Sequence, residues 1–305
     1  MQREILLGDE AVGLGAIHAG MSGVYAYPGT PSTEIFEFVE RRTKKAGDVH
    51  AFWSTNEKVA YEEALGMSWA GKRALVCMKH VGLNVAADAF FYASMTGTEA
   101  GLVIVSADDP AMHSSQNEQD NRRYAKFARV PCLEPADQQE AYEMTREAFD
   151  LSERFGIPVV LRLVTRLCHS RALVRPATPR PQNPMVKAAV PQDWTLLPHN
   201  ARRLWRRLLD RLPAIRAEVE ASAHNVLLPG EDGAPFAVLT SGIARHYVAA
   251  EAGDLGASLP TLHVGMYPAP AEAIRRLAGR ARRLLVIEEG YPFLERQLRG
   301  LLPHG

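Results

Sequence analysis

Residues 51–80, AFWSTNEKVAYEEALGMSWAGKRALVCMKH, decide the fold. Ala51, Phe52 and Trp53 read as a short strand, and Ser54, Thr55 and Asn56 form a polar turn able to cap a helix. The stretch 57–70 then predicts a helix. Its Ala60, Ala64, Gly66, Ala70 and Gly71 suit a helix that packs closely and lies deep. A second apolar run at 74–78 follows and ends in Lys79 and His80. Strand, helix and strand joined over this length form a parallel βαβ unit.

The same alternation extends on both sides. Helices are predicted at 10–19, 32–45, 83–95 and 138–154, and strands at 24–27, 102–106 and 159–164. Strands apolar on both faces belong to a parallel sheet covered on each side. The fold class is therefore α/β, with a first domain at 1–175. Between 176 and 235, Pro176, Pro179, Pro181 and Pro184 mark an extended linker. It carries a strap helix at 200–221, expected to kink or break at Pro213. Leu204, Leu208, Leu212 and Ile215 line one side of that helix, and Arg202, Arg203, Arg206, Arg207 and Arg211 the other. The arginines read either as a solvated face or as a dock for an anionic partner. From 236 to 305 strands (236–240, 261–264, 284–288) and helices (245–252, 271–278, 293–301) alternate again, giving a smaller α/β domain.

Composition narrows the function. The 305 residues hold 35 Lys+Arg and 35 Asp+Glu, so no basic excess points to nucleic acid. No run approaches the about 18 apolar residues of a membrane span, and the charged N-terminus does not read as a signal peptide. A cytoplasmic protein is expected. Cys77, Cys132 and Cys168 lie far apart without C-x-x-C spacing. This argues against a disulfide framework, a zinc site or an iron–sulfur cluster built by this chain, and no metal ligand is assigned to it.

Gly13-Leu14-Gly15 is not a dinucleotide fingerprint. His18 stands where the third glycine belongs, and the glycines lie inside a predicted helix, where they suit close packing. More informative are the strand ends. Tyr27-Pro28-Gly29-Thr30-Pro31-Ser32 ends one strand and offers Ser32 as a helix cap. Ser54-Thr55-Asn56-Glu57 ends the next, Lys79 and His80 a third. The fourth leads through Ala107-Asp108-Asp109-Pro110 into the polar run 112–120, with His113 and Gln116. Any one of these could be an ordinary βα loop. A parallel sheet brings all four to one rim, which predicts a single site there.

At this point longer segments become recognisable. YPGTPST (27–33), NEKVAYEEALGMSWAGKRALVCMKHVGLNVAAD (56–88), ADDPAMHSSQNEQDNRRYAKFARVPCLEPAD (107–137), TRLCHSR (165–171) and VIEEG (286–290) resemble the α subunits of indolepyruvate:ferredoxin oxidoreductases. These belong to the thiamine diphosphate-dependent 2-oxoacid:ferredoxin oxidoreductase family, and the likeness covers essentially the whole chain. It implies a pyrimidine-binding domain at 1–175 and a transketolase C-terminal-like domain at 236–305. It also implies that Glu57 hydrogen-bonds N1′ of the cofactor's aminopyrimidine, favouring the 4′-imino tautomer that takes the C2 proton. Gly29, Thr30, Gly82 and Asn84 become cofactor-binding candidates; Thr30, Lys79, His80, His113 and Gln116 become substrate-binding candidates.

Two departures from the family pattern matter. Related pyruvate enzymes place a substrate-binding arginine after the fourth strand; Ser106-Ala107-Asp108 offers none, leaving Lys79 or His80 as replacements. The diphosphate-binding and cysteine-rich ferredoxin-like domains of the usual α subunit are not expected within these 305 residues, and Gly230-Glu231-Asp232-Gly233 does not read as a magnesium–diphosphate motif. The resemblance thus implies half an active site. Partner chains would supply Mg²⁺, diphosphate binding and [4Fe-4S] clusters through a diphosphate-binding subunit, an iron–sulfur subunit and further oxidoreductase subunits. CoA would be co-substrate and ferredoxin or another acceptor would take the electrons from an aryl 2-oxoacid. Non-oxidative decarboxylation or acyl transfer on the same cofactor is the alternative within enzymes, and a non-catalytic scaffold the alternative outside them.

Overall fold

A computed structural model describes residues 3–187, 190–231, 234–255 and 258–302. The elements run β1 (Glu4–Leu7), α1 (Gly8–His18), β2 (Gly23–Ala26), α2 (Thr33–Thr43), β3 (His50–Trp53), α3 (Glu57–Trp69), β4 (Ala74–Lys79), α4 (Gly82–Thr96), β5 (Leu102–Asp108) and α5 (Arg122–Ala128). They continue with β6 (Cys132–Leu133), α6 (Gln138–Phe155), β7 (Val159–Val164), α7 (Thr165–His169), β8 (Arg171–Val174), α8 (Pro198–Ala221), β9 (Asn225–Leu228) and β10 (Ala237–Ser241). Last come α9 (Ala244–Leu255), β11 (Thr261–Val264), β12 (Met266–Tyr267), α10 (Ala271–Ala278), β13 (Leu284–Ile287) and α11 (Phe293–Leu301).

Seven strands form the main sheet in the order β12-β6-β7-β5-β4-β2-β3, parallel except for β12. Strands β2, β4, β5 and β7 are buried along their whole length, as their apolar runs require. Strand β3 departs from that expectation. It lies at the sheet edge, and its residues alternate between exposed and half-buried, with Phe52 facing out. The core has two layers. One face of the sheet packs on α1, α2 and α6; the other packs on α3, α4, α8 and the second lobe.

The glycines of α1 act in packing. A Cβ at Gly13 would stand 2.8 Å from Phe38 Cδ1, and one at Gly15 would stand 2.6 Å from the Tyr142 carbonyl oxygen, so α1 nests directly on α2 and α6. Gly66 of α3 behaves otherwise: it faces open space, against the expectation of close packing at that position.

The proline-rich segment is fastened to the first lobe. Ala177 N–H donates to Tyr142 Oη, Arg180 N–H to the His18 carbonyl and Val186 N–H to the Ala70 carbonyl. Gln182 accepts from Ser22 Oγ, and Asn183 donates to Glu153. Helix α8 continues through Pro213, so of the expected kink or break the break does not occur, and Leu204, Leu208, Ile215 and Val219 are buried along one side. Three of its arginines are partly occupied within the chain. Arg203 and Arg207 pair with Asp193, and the Arg211 guanidinium packs close over Gly156.

The four-stranded second sheet has the order β13-β10-β11-β9. Strand β9 lies within the stretch read as linker, so this sheet starts at Asn225 rather than near 236. Strand β12 leaves its own lobe and pairs with β6, extending the main sheet across the lobe boundary. Asp232 and Gly233 of the weighed Gly230–Gly233 motif lie outside the described residues.

Candidate active-site rim

Strands β5, β4, β2 and β3 are parallel neighbours, so the loops after them open on one rim. The chain leaves β2 through α2 to β3 on one side, then crosses by α3 to β4 on the other. That reversal makes the crevice between the loops after β2 and β4 the switch point of the sheet, where open α/β sheets take ligands. The two loops touch there: a Cβ on Gly29 would lie 3.1 Å from Lys79 Cβ. Ser32 does not cap α2 as expected. Its hydroxyl donates to the Gly29 carbonyl at 2.8 Å, while Gly29 N–H donates to Thr33 Oγ1 at 2.9 Å, tightening the loop on itself.

Glu57 is the first residue of α3. Asn56 caps that helix by accepting from Val59 N–H at 3.0 Å, which fixes the helix start and with it the place of Glu57. The half-buried Glu57 carboxylate lies over Gly82 at the start of α4. A methyl group there would stand 2.6 Å from Glu57 Cγ and 2.7 Å from Oε1. Only glycine leaves this room. Among the described residues the carboxylate has no hydrogen-bond partner, so its oxygens are free to accept from or share a proton with a ligand.

The other candidates divide into two groups. Lys79 and His80 are buried and turned to the β5 loop: Lys79 Nζ donates to the Ser114 carbonyl at 2.7 Å, and His80 Nε2 lies 3.2 Å from both side-chain and main-chain oxygens of Asn117. Both therefore hold that loop down. His80 Nδ1 is buried without a partner among the described residues. Thr30, His113 and Gln116 are exposed on their loops. Asn84 is drawn aside. It exchanges hydrogen bonds with Gln119 and accepts from Tyr124 Oη.

Asp109 is the residue that sequence reasoning passed over. Its Oδ2 accepts from Ser114 N–H (2.8 Å) and Ser115 Oγ (2.6 Å), and its Oδ1 from Thr165 Oγ1 (2.7 Å). Burial pushes its carboxyl up, but the hydrogen bonds from Ser115, Thr165, Ser114 and His113 outweigh that and bring the pKa down to about 2. The Asp-Pro pair at a strand end was the available signal.

Behind the loop, two fully buried arginines join the lobes. Arg162 Nε donates to Asp108 Oδ2 at 2.8 Å and pairs with Glu134. Arg122 binds Asp120 through Nε (2.9 Å) and Nη2 (2.6 Å), lies 3.0 Å from Glu288 and donates to Ser241 Oγ of the second lobe. Burial pushes the Asp108 carboxyl up against the pull of Arg162. The Asp120 carboxyl is likewise pushed up by burial but ends below its usual range, because Arg162 and Arg122 prevail. The first arginine after the fourth strand is thus spent on structure.

Open parallel α/β sheets of this kind take their ligands at such a rim. Residues 14–223 match the family described as pyruvate flavodoxin/ferredoxin oxidoreductase, thiamine diP-bdg (thiamine diphosphate-binding), and the chain belongs to that family. It is 42% identical over 296 residues to indolepyruvate oxidoreductase subunit IorA of Methanothermobacter thermautotrophicus, covering 96% of this chain and 48% of that one. Against the IorA subunit of Thermococcus kodakarensis it is 40% identical over 306 residues, 98% and 47% of the two chains. The chain spans about half the length of these curated relatives. A solved structure, 2-oxoglutarate:ferredoxin oxidoreductase from Magnetococcus marinus with 2-oxoglutarate, coenzyme A and succinyl-CoA bound, shares the fold. Its TM-score is 0.80 at 18% identity over 98% of this chain and 60% of that one. No helix among the described residues is long and apolar enough to cross a membrane.

Proposed function

We propose that this chain supplies the aminopyrimidine-holding half of a thiamine diphosphate site for oxidative decarboxylation of an aryl 2-oxoacid to its acyl-CoA. The observation that carries the reading is the Glu57 carboxylate, unbonded and seated over Gly82 at the switch-point rim. The position suits a ring nitrogen as partner because the missing Cβ of Gly82 gives Glu57 a fixed seat, and its carboxylate has no hydrogen-bond partner among the described residues. Glu57 would hold a proton at N1′ of the aminopyrimidine, with the Gly29–Thr30 loop and the start of α4 at Gly82 forming the pocket wall. When bound, thiamine diphosphate supplies the carbon nucleophile and the electron sink for loss of CO₂.

Lys79 and His80 position the β5 loop, so that the exposed His113 and Gln116 stand where the substrate would enter. Diphosphate and Mg²⁺ binding, iron–sulfur clusters and the contact with ferredoxin or another acceptor come from outside these 305 residues. The preference for an aryl 2-oxoacid and the setting among further subunits rest on the likeness to the IorA subunits, and CoA as co-substrate in a cytoplasmic enzyme on the family resemblance.

The test is the assembled complex purified through this chain, assayed for thiamine diphosphate, iron and turnover, with Glu57→Gln beside it. Cofactor, iron and a turnover lost in Glu57→Gln are expected. Cofactor without iron would assign non-oxidative chemistry, and an intact complex with neither would make the chain a scaffold.

A further inference from the structure

Asp9, Glu34 and His169 are far apart in sequence and meet behind the rim. One donor atom from each lies within 4.8 Å of the others, and His169 Nε2 stands 3.8 Å from Glu34 Oε1. Asp9, the second residue of α1, is completely buried, and neither carboxylate oxygen has a hydrogen-bond partner. The buried Cys168 thiol lies beside it as a weak donor. The second oxygen of Glu34 is also buried and unpartnered. The charged groups that act most strongly on Asp9 are Glu34 and Glu10, both acidic. Burial and the facing Glu34 push the Asp9 carboxyl well up, so it keeps a proton that a metal ion bound between the three side chains would displace.

The base of this cluster is rigid. A Cβ on Gly8 would stand 2.2 Å from the Leu167 carbonyl oxygen, so the start of α1 rests directly on α7, and Asp9 is fixed against the turn that carries His169. Glu34 and His169 are each a little over one-third exposed and can close over an ion. Donors on one tetrahedral ion stand about 3.4 Å apart at bond lengths of about 2.0–2.2 Å, so closure needs side-chain shifts of about 1 Å.

We propose that Asp9, Glu34 and His169 form a binding site for one divalent transition-metal ion, with Asp9 as its buried anchor. Two carboxylates and one neutral imidazole offer two negative charges and a mixed oxygen and nitrogen donor set. That suits Zn²⁺, Mn²⁺ or Fe²⁺ better than the all-oxygen shells of Ca²⁺ or Mg²⁺. The ion would join the first turns of α1 and α2 to the end of α7. The Thr30 loop leads directly into α2, so the site borders the rim without using Glu57.

Co²⁺ serves as the probe, titrated into the chelator-stripped protein without thiamine diphosphate and followed by visible absorption and equilibrium dialysis. One equivalent with d–d bands is expected, displaced by Zn²⁺ and weakened at least about tenfold in both Asp9→Asn and His169→Gln. His169 is at the surface, so its variant keeps the test valid if Asp9→Asn does not fold. Absence of stoichiometric Co²⁺ binding in the wild type, or binding unchanged in His169→Gln, overturns the proposal. The readout is independent of catalysis, so its failure leaves the Glu57 assignment standing.

Discussion

The Glu57 side chain fills the space that a Cβ on Gly82 would need, so the start of one helix is shaped to receive a side chain from the start of another. Gly82→Ala should push Glu57 aside. Turnover of the assembled enzyme is expected to fall by about a hundredfold, since a displacement near 1 Å costs that much at a reacting centre. Stability should fall by about 1–3 kcal/mol from overpacking. Adding Glu57→Ala should restore stability and leave activity absent; if the double variant is no more stable than Gly82→Ala, the contact is not where the strain lies.

Acid should loosen the β5 loop through Asp109. Its folded pKa is depressed to about 2 from the ordinary 3.8, so its contribution is complete above pH 3.8 and disappears as pH falls through 2. The difference in thermal stability between wild type and Asp109→Asn should therefore be largest above pH 4 and shrink towards pH 2. A pH-independent difference would show that the carboxylate's charge is not what holds Ser114, Ser115 and Thr165.

His224 should act with the opposite sign. Burial lowers its pKa, but Glu147 at 2.7 Å raises it by more, so the net shift is upward. The stabilisation is complete below the unfolded pKa of about 6.5 and is lost as pH rises through the folded value. Melting curves of wild type and Glu147→Gln between pH 5.5 and 9 should converge at the alkaline end. Curves that stay parallel would refute the ion pair.

Removing one member of the buried charge network should be costly. Arg162→Met leaves Asp108 and Glu134 without their main buried cation, and a loss of about 3–5 kcal/mol is expected in urea unfolding. Because Arg162 also donates to the Glu289 carbonyl, the second lobe should become easier to cleave by protease. A loss below about 1 kcal/mol would mean that water replaces the guanidinium.

Much of the architecture was legible because its causes are local. The runs that became β2, β4, β5 and β7 are apolar along their length, and Asn56 stands where α3 needs its cap. Glu57 could be singled out for the same reason, since its place depends on one strand end and one helix start. Short or context-dependent pieces escaped: β1, β6, β8, β9, β12, α5 and α7 have two to seven residues each, too few for a periodicity to declare itself.

What the sequence by itself determined is the alternation of strands and helices, the rim at the strand ends and the carboxylate that opens α3. Tertiary structure alone decided that Lys79 and His80 clasp a loop, that β12 crosses to the other lobe's sheet, and that Asp9, Glu34 and His169 converge. The division follows the range of the forces. Periodicity and capping act over a few residues and are written in order along the chain, whereas a side-chain cluster is assembled by packing between elements far apart in sequence, as His169 on Glu34 and β12 on β6.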